Sequence, residues 1–565
     1  MNPQRRFTVA VVVLIVGLVA FSGWMASGRR APESPSTAFF QAVDLSALGS
    51  IAVHSGGRLK SFSSFAHERM GWVMGTRRFR QQTPAFTYLD LMFRPEVYEG
   101  EDIIFVKNKN LRADIRRAFE SSDLYESDRA GFEDRLEGFI RWGLISEPML
   151  AEPEVQLRMN ELEQDLMRSA RFVQAVNGAL NTKHPGSLAY ELRLVPPASG
   201  GEDEPWSSLD STGRPANILP DAEQGERLAS AWAALARGWS AQDAVAVNLA
   251  ASQVANILPS LAPSLYPDLA KLSWESWYFQ NKNMTWIWMV YLLSVVLLLL
   301  FLVYRWRSAG WLGLSVFGLA FLLQTSALGL RWWVSGRWPN SNMFEAVTTS
   351  AWMGGCAAIA FEWFARRTAM AKVFALTSAT ASMVALMSAN FLPLQLNPNI
   401  GNMMPVLHDI WLYIHTNIII WSYILIFMAA ITGLLYLVHR ACGAQRESLR
   451  MAGATMASTS SSTNLGTVLD GVTMALMKLS FVMLWAGLVM GAIWADHSWG
   501  RPWGWDPKEV FALCTFIIFA LLVHVRLKVQ DKGLWTASLA VVGAGVMMFN
   551  WIVINFYISG LHSYA

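Results

Sequence analysis

The sequence predicts a mainly α protein: a polytopic membrane helical bundle of about eight C-terminal spans plus one N-terminal anchor, with a mostly helical exported soluble domain. Three observations predict it. Of 565 residues, 53% are hydrophobic and only 15% charged, which is too apolar for a soluble chain of this length. From residue 284 onward the chain is a series of apolar runs, each close to the roughly 20 residues that an α-helix needs to cross a bilayer. Residues 28 to 283, by contrast, are polar and mixed in charge, and hold no such run.

Residues 7 to 24 form a short apolar run behind Arg5 and Arg6, the pattern of a cleavable signal or a retained anchor. Gly23-Trp24-Met25-Ala26-Ser27 is a poor small-residue cleavage site, so an anchor over residues 1 to 27 is expected, with exported chain after it. In the domain from 28 to 283, residues 111 to 171 set apolar positions at helical spacing among charges, and 228 to 258 form another helical stretch. The Pro/Gly/Ser-rich stretch at 196 to 213 interrupts them. Near its start, Ser55-Gly56-Gly57-Arg58-Leu59-Lys60-Ser61-Phe62 runs through Phe65, Ala66, His67 and Glu68 into an expected helix. The third region, 284 to 565, places spans at 284–304, 309–330, 344–364, 371–391, 412–438, 471–494, 509–526 and 534–558.

The charge pattern orients these spans. Arg305, Arg307, Arg366, Arg367, Lys372, Arg440, Arg446, Arg450, Arg526, Lys528 and Lys532 fall in one alternating set of connections, against only Arg331, Arg337, Arg501 and Lys508 in the other. The positive-inside rule places the first set in the cytoplasm, and the connection 392–411, the stretch 494–509 and the C-terminus outside. The Ser/Thr-rich run at 458 to 463 then reads as a cytoplasmic linker. A net charge of +3 argues for membrane orientation and against a nucleic-acid partner. Cys356, Cys442 and Cys514 lie far apart with no C-x-x-C pair, which speaks against a disulfide carrier, a zinc site or a haem-attachment motif within the chain.

The chemistry gathers around Trp494-Ala495-Asp496-His497-Ser498-Trp499-Gly500-Arg501-Pro502-Trp503-Gly504-Trp505-Asp506-Pro507-Lys508-Glu509, far more elaborate than a plain turn between spans. Tryptophans at a water boundary are ordinarily belt residues. Trp503 and Trp505, however, alternate around Gly504, so in an extended segment both indoles face one side and offer a shelf for a flat aromatic ligand. Six of the nine histidines, His408, His415, His439, His497, His524 and His562, lie in the membrane half. A lone interfacial histidine ordinarily snorkels. Two on one side, His415 and His562, with an aromatic shelf between their spans, instead make a coherent bis-imidazole haem site.

The tryptophan-rich stretch resembles the "WWD" signature, W-G-x-x-W-x-W-D-P-x-E, of the haem-handling proteins of cytochrome c biogenesis. Pro405 to His415, Trp499 to Glu509 and the terminal Gly560-Leu561-His562-Ser563-Tyr564 resemble the three external signatures of the CcsA/ResC proteins of the system II cytochrome c synthases. Arg337-Trp338-Pro339-Asn340-Ser341-Asn342-Met343-Phe344-Glu345 is similar to that family's P-x-S-N-x-[FY]-E segment, so the resemblance runs over about 284 to 565. The opening at Arg58 resembles an exported extension of some bacterial members.

The resemblance implies His415 and His562 as axial ligands to haem b, Trp499, Trp503 and Trp505 as the platform, and Asp506 as a rim contact or orienting acceptor. It implies His524 as an intramembrane histidine that helps carry haem from the cytoplasmic side. A second intramembrane histidine is expected from a separate ResB/CcsB partner, because His54, His67 and His184 all fall in the exported domain. The implied activity is that of the haem-binding subunit of a holocytochrome c synthase (cytochrome c haem lyase) in a bacterial inner membrane. Haem would be presented outside for thioether attachment to the C-x-x-C-H motif of apocytochrome c. The alternative is a haem transporter or chaperone component that delivers haem to a separate carrier. A solute channel is disfavoured by the absence of an obvious inverted repeat.

Overall fold

The computed structural model describes residues 3–27, 37–75, 78–165, 169–197, 204–209, 222–402, 409–443, 465–554 and 558. The chain divides into two units, one of Met1–Gly28, Lys282–Pro398 and Met403–Ala565, the other of Arg29–Asn281 with Asn399–Asn402.

The first unit is a bundle of long apolar helices: α1 (Pro3–Ser27), α2 (Trp288–Tyr304), α3 (Arg307–Ser335), α4 (Met343–Ala365), α5 (Val373–Phe391), α6 (Ile410–Ala441), α7 (Leu465–Trp499), α8 (Pro507–Lys528) and α9 (Lys532–Phe549). Their ends follow local chemistry. Asn342, Asp409, Asp506 and Asp531 cap α4, α6, α8 and α9, each side chain accepting a backbone N–H that the first turn leaves without a helical partner. Gly336 ends α3 in the left-handed region, where a side chain is disfavoured. The polytopic helical class is as the sequence predicts, and α2 to α9 are the eight expected spans. The largest difference is in α7, which runs 35 residues and absorbs the first six positions of the tryptophan-rich stretch.

Nine helices among the described residues are long and apolar enough to cross a membrane, but they are not the same nine. Ala244–Leu261 meets the criterion while burying Val247, Ala250, Ala251, Val254 and Leu258 in the core of the second unit. Helix α4 is not among them, since its polar positions lower its apolarity while binding it to its neighbours. Within the bundle, polar groups act as glue, as expected where water is absent. Tyr291 donates to the Gln324 carbonyl oxygen at 2.6 Å, and the Gln324 amide donates to the Thr348 carbonyl at 3.1 Å, joining α2, α3 and α4. Thr473 of α7 donates to Thr432 of α6 at 2.7 Å. Arg526 of α8 grips Asp470 of α7 with two bonds of 2.6 and 2.7 Å, the fork geometry only arginine offers.

The second unit is mostly helical, with only three two-stranded antiparallel pairs among its described residues. The Arg58 motif forms one of them: Ala52–Ser55 pairs with Arg58–Ser61 across Gly56 and Gly57, both at positive φ as a two-residue hairpin turn requires. Ser61 then caps the helix Phe62–Met74. The buried carboxylate of Glu275 accepts from the Arg58 guanidinium at 2.6 Å and from the Ser61 N–H at 3.1 Å. Arg58 also donates to the Ile400 carbonyl, and the Asn402 amide donates to the Gly57 carbonyl. Deeper in, Asp90 accepts from Arg94, Tyr98 and Trp239, which neutralises a fully buried charge. Cys356, Cys442 and Cys514 are free thiols. The expected linker at 458–463 lies outside the described residues.

Candidate functional site

Asp409 starts α6, and His415 stands about one and a half turns in. Opposite it, α7 presents Gly487 and Gly491, four residues apart and therefore on one face. A Cβ at Gly491 would fall 2.7 Å from His415 Cε1, so the missing side chain is what lets the imidazole lie against the α7 backbone. Gly487 in the same way makes room for Ile419, one turn beyond His415. The His415 Nδ1 atom is 2.8 Å from the Gly487 carbonyl oxygen. A carbonyl only accepts, so this contact puts the ring proton on Nδ1 and the lone pair on Nε2.

His415 faces a cavity of about 310 Å³, within the size range of small-ligand pockets. Its aromatic wall includes Tyr413, Tyr423, Trp494, Trp503 and Trp551, and its polar lining includes Asn340, Asn342, Lys508 and Glu509. The amide of buried Asn550 donates to the Tyr423 hydroxyl at 3.1 Å. Asn550 and Trp551 belong to a π-helical turn, Asn550–Ile554, that follows α9; such widened turns occur often at functional sites.

The tryptophan-rich stretch supplies one side of this cavity in a form the sequence did not predict. Gly500, at φ 69°, ends α7 by donating to the Asp496 carbonyl at 2.8 Å. The remaining loop folds onto the start of α8. The Glu509 carboxylate accepts from the N–H groups of Gly504 at 2.9 Å and Asp506 at 3.2 Å, and the Asp506 side chain accepts in turn from the Lys508 N–H. Asp506, expected as a rim contact or an orienting acceptor, is a buried helix cap that accepts from the backbone. Trp503 and Trp505 do not form one shelf. Trp505 takes φ 55°, which breaks the extended alternation, and its ring stands at 87° to that of Trp503. Trp503 lines the cavity, whereas Trp505 is 72% exposed. Trp499 packs edge-on against buried Trp494, with ring centres 4.8 Å apart, one layer behind the cavity wall.

The segment before α4 closes another side. Glu345 receives Arg331 at 2.9 Å and Arg337 at 2.9 Å, together with the N–H and hydroxyl of Ser341, so one buried carboxylate shapes the whole turn. That turn is fastened to α6 immediately after His415: Asn340 donates to Thr416 at 3.1 Å, and Trp338 donates to Asn417 at 2.9 Å.

The structure thus brings His415 and Trp503 to one cavity, with Asp506 capping the helix that follows the Trp503 loop. His562 and His408 lie outside the described residues. His524 sits elsewhere, on an exposed face of α8 with Nδ1 2.8 Å from the Ala520 carbonyl. His497 is exposed beside Trp411, and His439 is buried against Phe7 of α1. Among the described residues no group of three His, Cys, Asp or Glu side chains is placed to hold a metal ion. Sequence reading missed Tyr423, Asn550, Trp551 and the two glycines of α7. Only the four-residue glycine spacing was there to be seen.

The bundle and its cavity define a polytopic helical membrane protein with a cavity lined by one imidazole and several indoles. The chain belongs to the CcsA family of cytochrome c biogenesis proteins, which gives it a part in cytochrome c maturation. The family profile described as "Cytochrome C assembly protein" matches residues 340–562. The protein named "Cytochrome c biogenesis protein CcsA" from Parasynechococcus marenigrum (strain WH8102) is 32% identical over 261 residues, covering 44% of this chain and 84% of the relative. Its namesake from Guillardia theta is 31% identical over 254 residues, covering 44% and 83%, and that from Gloeobacter violaceus 29% over 298 residues, covering 45% and 86%.

Proposed function

We propose that the cavity binds haem and presents it on the outer face of a bacterial inner membrane, for thioether attachment to the C-x-x-C-H motif of apocytochrome c. The observation that carries this reading is the His415–Gly487 contact, which puts the ring proton on Nδ1, the tautomer an iron-ligating imidazole takes, beside an aromatic cavity. A tetrapyrrole fits the donor chemistry. The indoles of Trp494, Trp503 and Trp551 suit its flat apolar body, and Asn340, Asn342 and Lys508 suit its carboxylate tails.

In this reading His415 and His562 are the two axial ligands, and the protein's work is positioning and water exclusion. The haem vinyl groups and the incoming thiols supply the bond-forming chemistry. The apocytochrome histidine would displace one protein imidazole and so favour release. The distribution of basic residues supports placing the cavity end outside. A histidine exposed on a membrane helix, His524, supports a ResB/CcsB-type partner that covers it and completes a path for haem from the cytoplasmic side.

The test is the visible spectrum of the dithionite-reduced, detergent-purified chain, alone and with a ResB/CcsB partner, for wild type, His415→Ala and His562→Ala. A bis-histidine spectrum in wild type, altered in each variant and restored by added imidazole, is the expected result. Absence of haem from the wild type even with the partner would sink the proposal. Haem that loads normally but passes to a separate carrier, with no contact to apocytochrome, would reassign the chain to haem delivery.

A further inference from the structure

The helix Leu269–Gln280 of the second unit has two unlike faces. Its inner face buries Leu272, Glu275, Ser276, Tyr278 and Phe279, and Glu275 holds Arg58 and Ser61. Its outer face carries Leu269, Trp274 and Trp277, which are 51%, 48% and 41% exposed. At 100° per residue these three fall within one arc, together with Ser273 and Gln280. The two indoles touch edge to face, with ring centres 5.5 Å apart.

Two adjoining indoles and a leucine turned to water are costly, since each would gain from leaving it. What covers them follows from where the helix leads. Trp277 stands five residues before Lys282, where a 23-residue segment long and apolar enough to cross a membrane begins, so at most ~18 Å of chain separates the two. Indoles at such a boundary settle where an apolar ring and a polar N–H are both satisfied, among the lipid headgroups.

We propose that the outer face of Leu269–Gln280 is a membrane-docking surface. Leu269, Trp274 and Trp277 insert at the boundary between phospholipid headgroups and acyl chains, as an in-plane amphipathic helix does. The inner face meanwhile carries the rest of the unit through Glu275. The bilayer thus grips the second unit beside its covalent link at Asn281–Lys282.

Trp72 provides an internal control, because it belongs to the same unit and is 58% exposed. The full chain is placed in phosphatidylcholine nanodiscs with no other protein and footprinted with hydroxyl radicals. Trp274 and Trp277 are expected to oxidise roughly five-fold more slowly than Trp72, as headgroup-buried indoles should. A phospholipid carrying a diazirine near its glycerol is expected to crosslink to the 269–280 peptide, and to lose that crosslink in the double variant Trp274→Gln, Trp277→Gln. Oxidation at the rate of Trp72 would overturn the proposal. So would protection without any lipid crosslink, since the cover would then be protein.

Discussion

The imidazole of His415 rests on Gly491: a Cβ at that glycine would lie 2.7 Å from Cε1 and 2.8 Å from Nδ1 of the ring. Those separations are shorter than carbon atoms tolerate, and the neighbour is the ring whose Nδ1 contacts Gly487. Gly491→Ala is therefore expected to push the ring off its carbonyl while leaving α7 intact. Alanine improves helix propensity by about 1 kcal/mol, which offsets part of an overpacking cost of about 1–3 kcal/mol. The expected outcome is a folded protein with several-fold less haem and an altered reduced spectrum, recovered by millimolar imidazole. A normal spectrum without imidazole would show that the glycine does not set the ligand.

Asp506 tests whether the loop acts through charge or through shape. As a helix cap its side chain accepts a backbone N–H, a role that asparagine fills equally well and alanine does not. Asp506→Asn should retain haem binding close to wild type. Asp506→Ala should lose about 1 kcal/mol of local stability and loosen the loop that carries Trp503. Equal loss in both variants, by haem content and thermal midpoint, would return Asp506 to a direct contact with the ligand.

These two residues also mark how far the sequence could be read. Long apolar runs need little more than counting, because a bilayer imposes the length; the eight C-terminal helices follow from that constraint. His415 and Trp503 were legible because an imidazole and an indole have few uses at such a boundary. For Asp506 the sequence left a rim contact and an orienting acceptor unseparated, because a carboxylate beside tryptophans suits both; the cap rests on its bond from Lys508 N–H, next to the bonds Glu509 accepts from Gly504 and Asp506. Tyr423, Asn550 and Trp551 were invisible because a π-turn and the pairing of distant helices leave no local signature. Ala244–Leu261, read from the sequence as a helix of the soluble domain, is as apolar as a span yet packs in a core, so apolarity alone does not distinguish the two.

His67, in the helix after the Arg58 hairpin, makes stability of the second unit depend on pH. Burial against Phe279 holds its imidazole below the usual 6.5, and nearby Arg78 pushes the same way while Glu68 opposes. The unfolded chain then binds a proton that the folded one resists, so stability falls as pH drops through about 6.5 and keeps falling to the lower folded value. Thermal unfolding of the purified chain should show a lower midpoint at pH 5.5 than at 7.5. His67→Phe should flatten that dependence; an unchanged slope would assign it to other groups.

The perpendicular rings of Trp503 and Trp505 predict unequal roles for two residues that look equivalent in the sequence. Trp503 lines the cavity and is half-buried, so truncation opens the wall beside the ligand and removes aromatic contact worth about 0.5–1.5 kcal/mol beyond buried area. Trp505 is held at φ 55°, is exposed and does not line the cavity, so its ring contributes little to a ligand inside. Trp503→Ala should lower haem per protein several-fold by pyridine haemochrome assay, and Trp505→Ala should leave it near wild type. If the cavity presents haem as proposed, an exposed indole beside it has a different use, which is to meet what arrives from solvent. Trp505→Ala should therefore slow cytochrome c maturation in cells while the purified protein still carries haem. If both substitutions lower haem content alike, the two rings act as one platform after all, and ligand binding must first turn Trp505 inward.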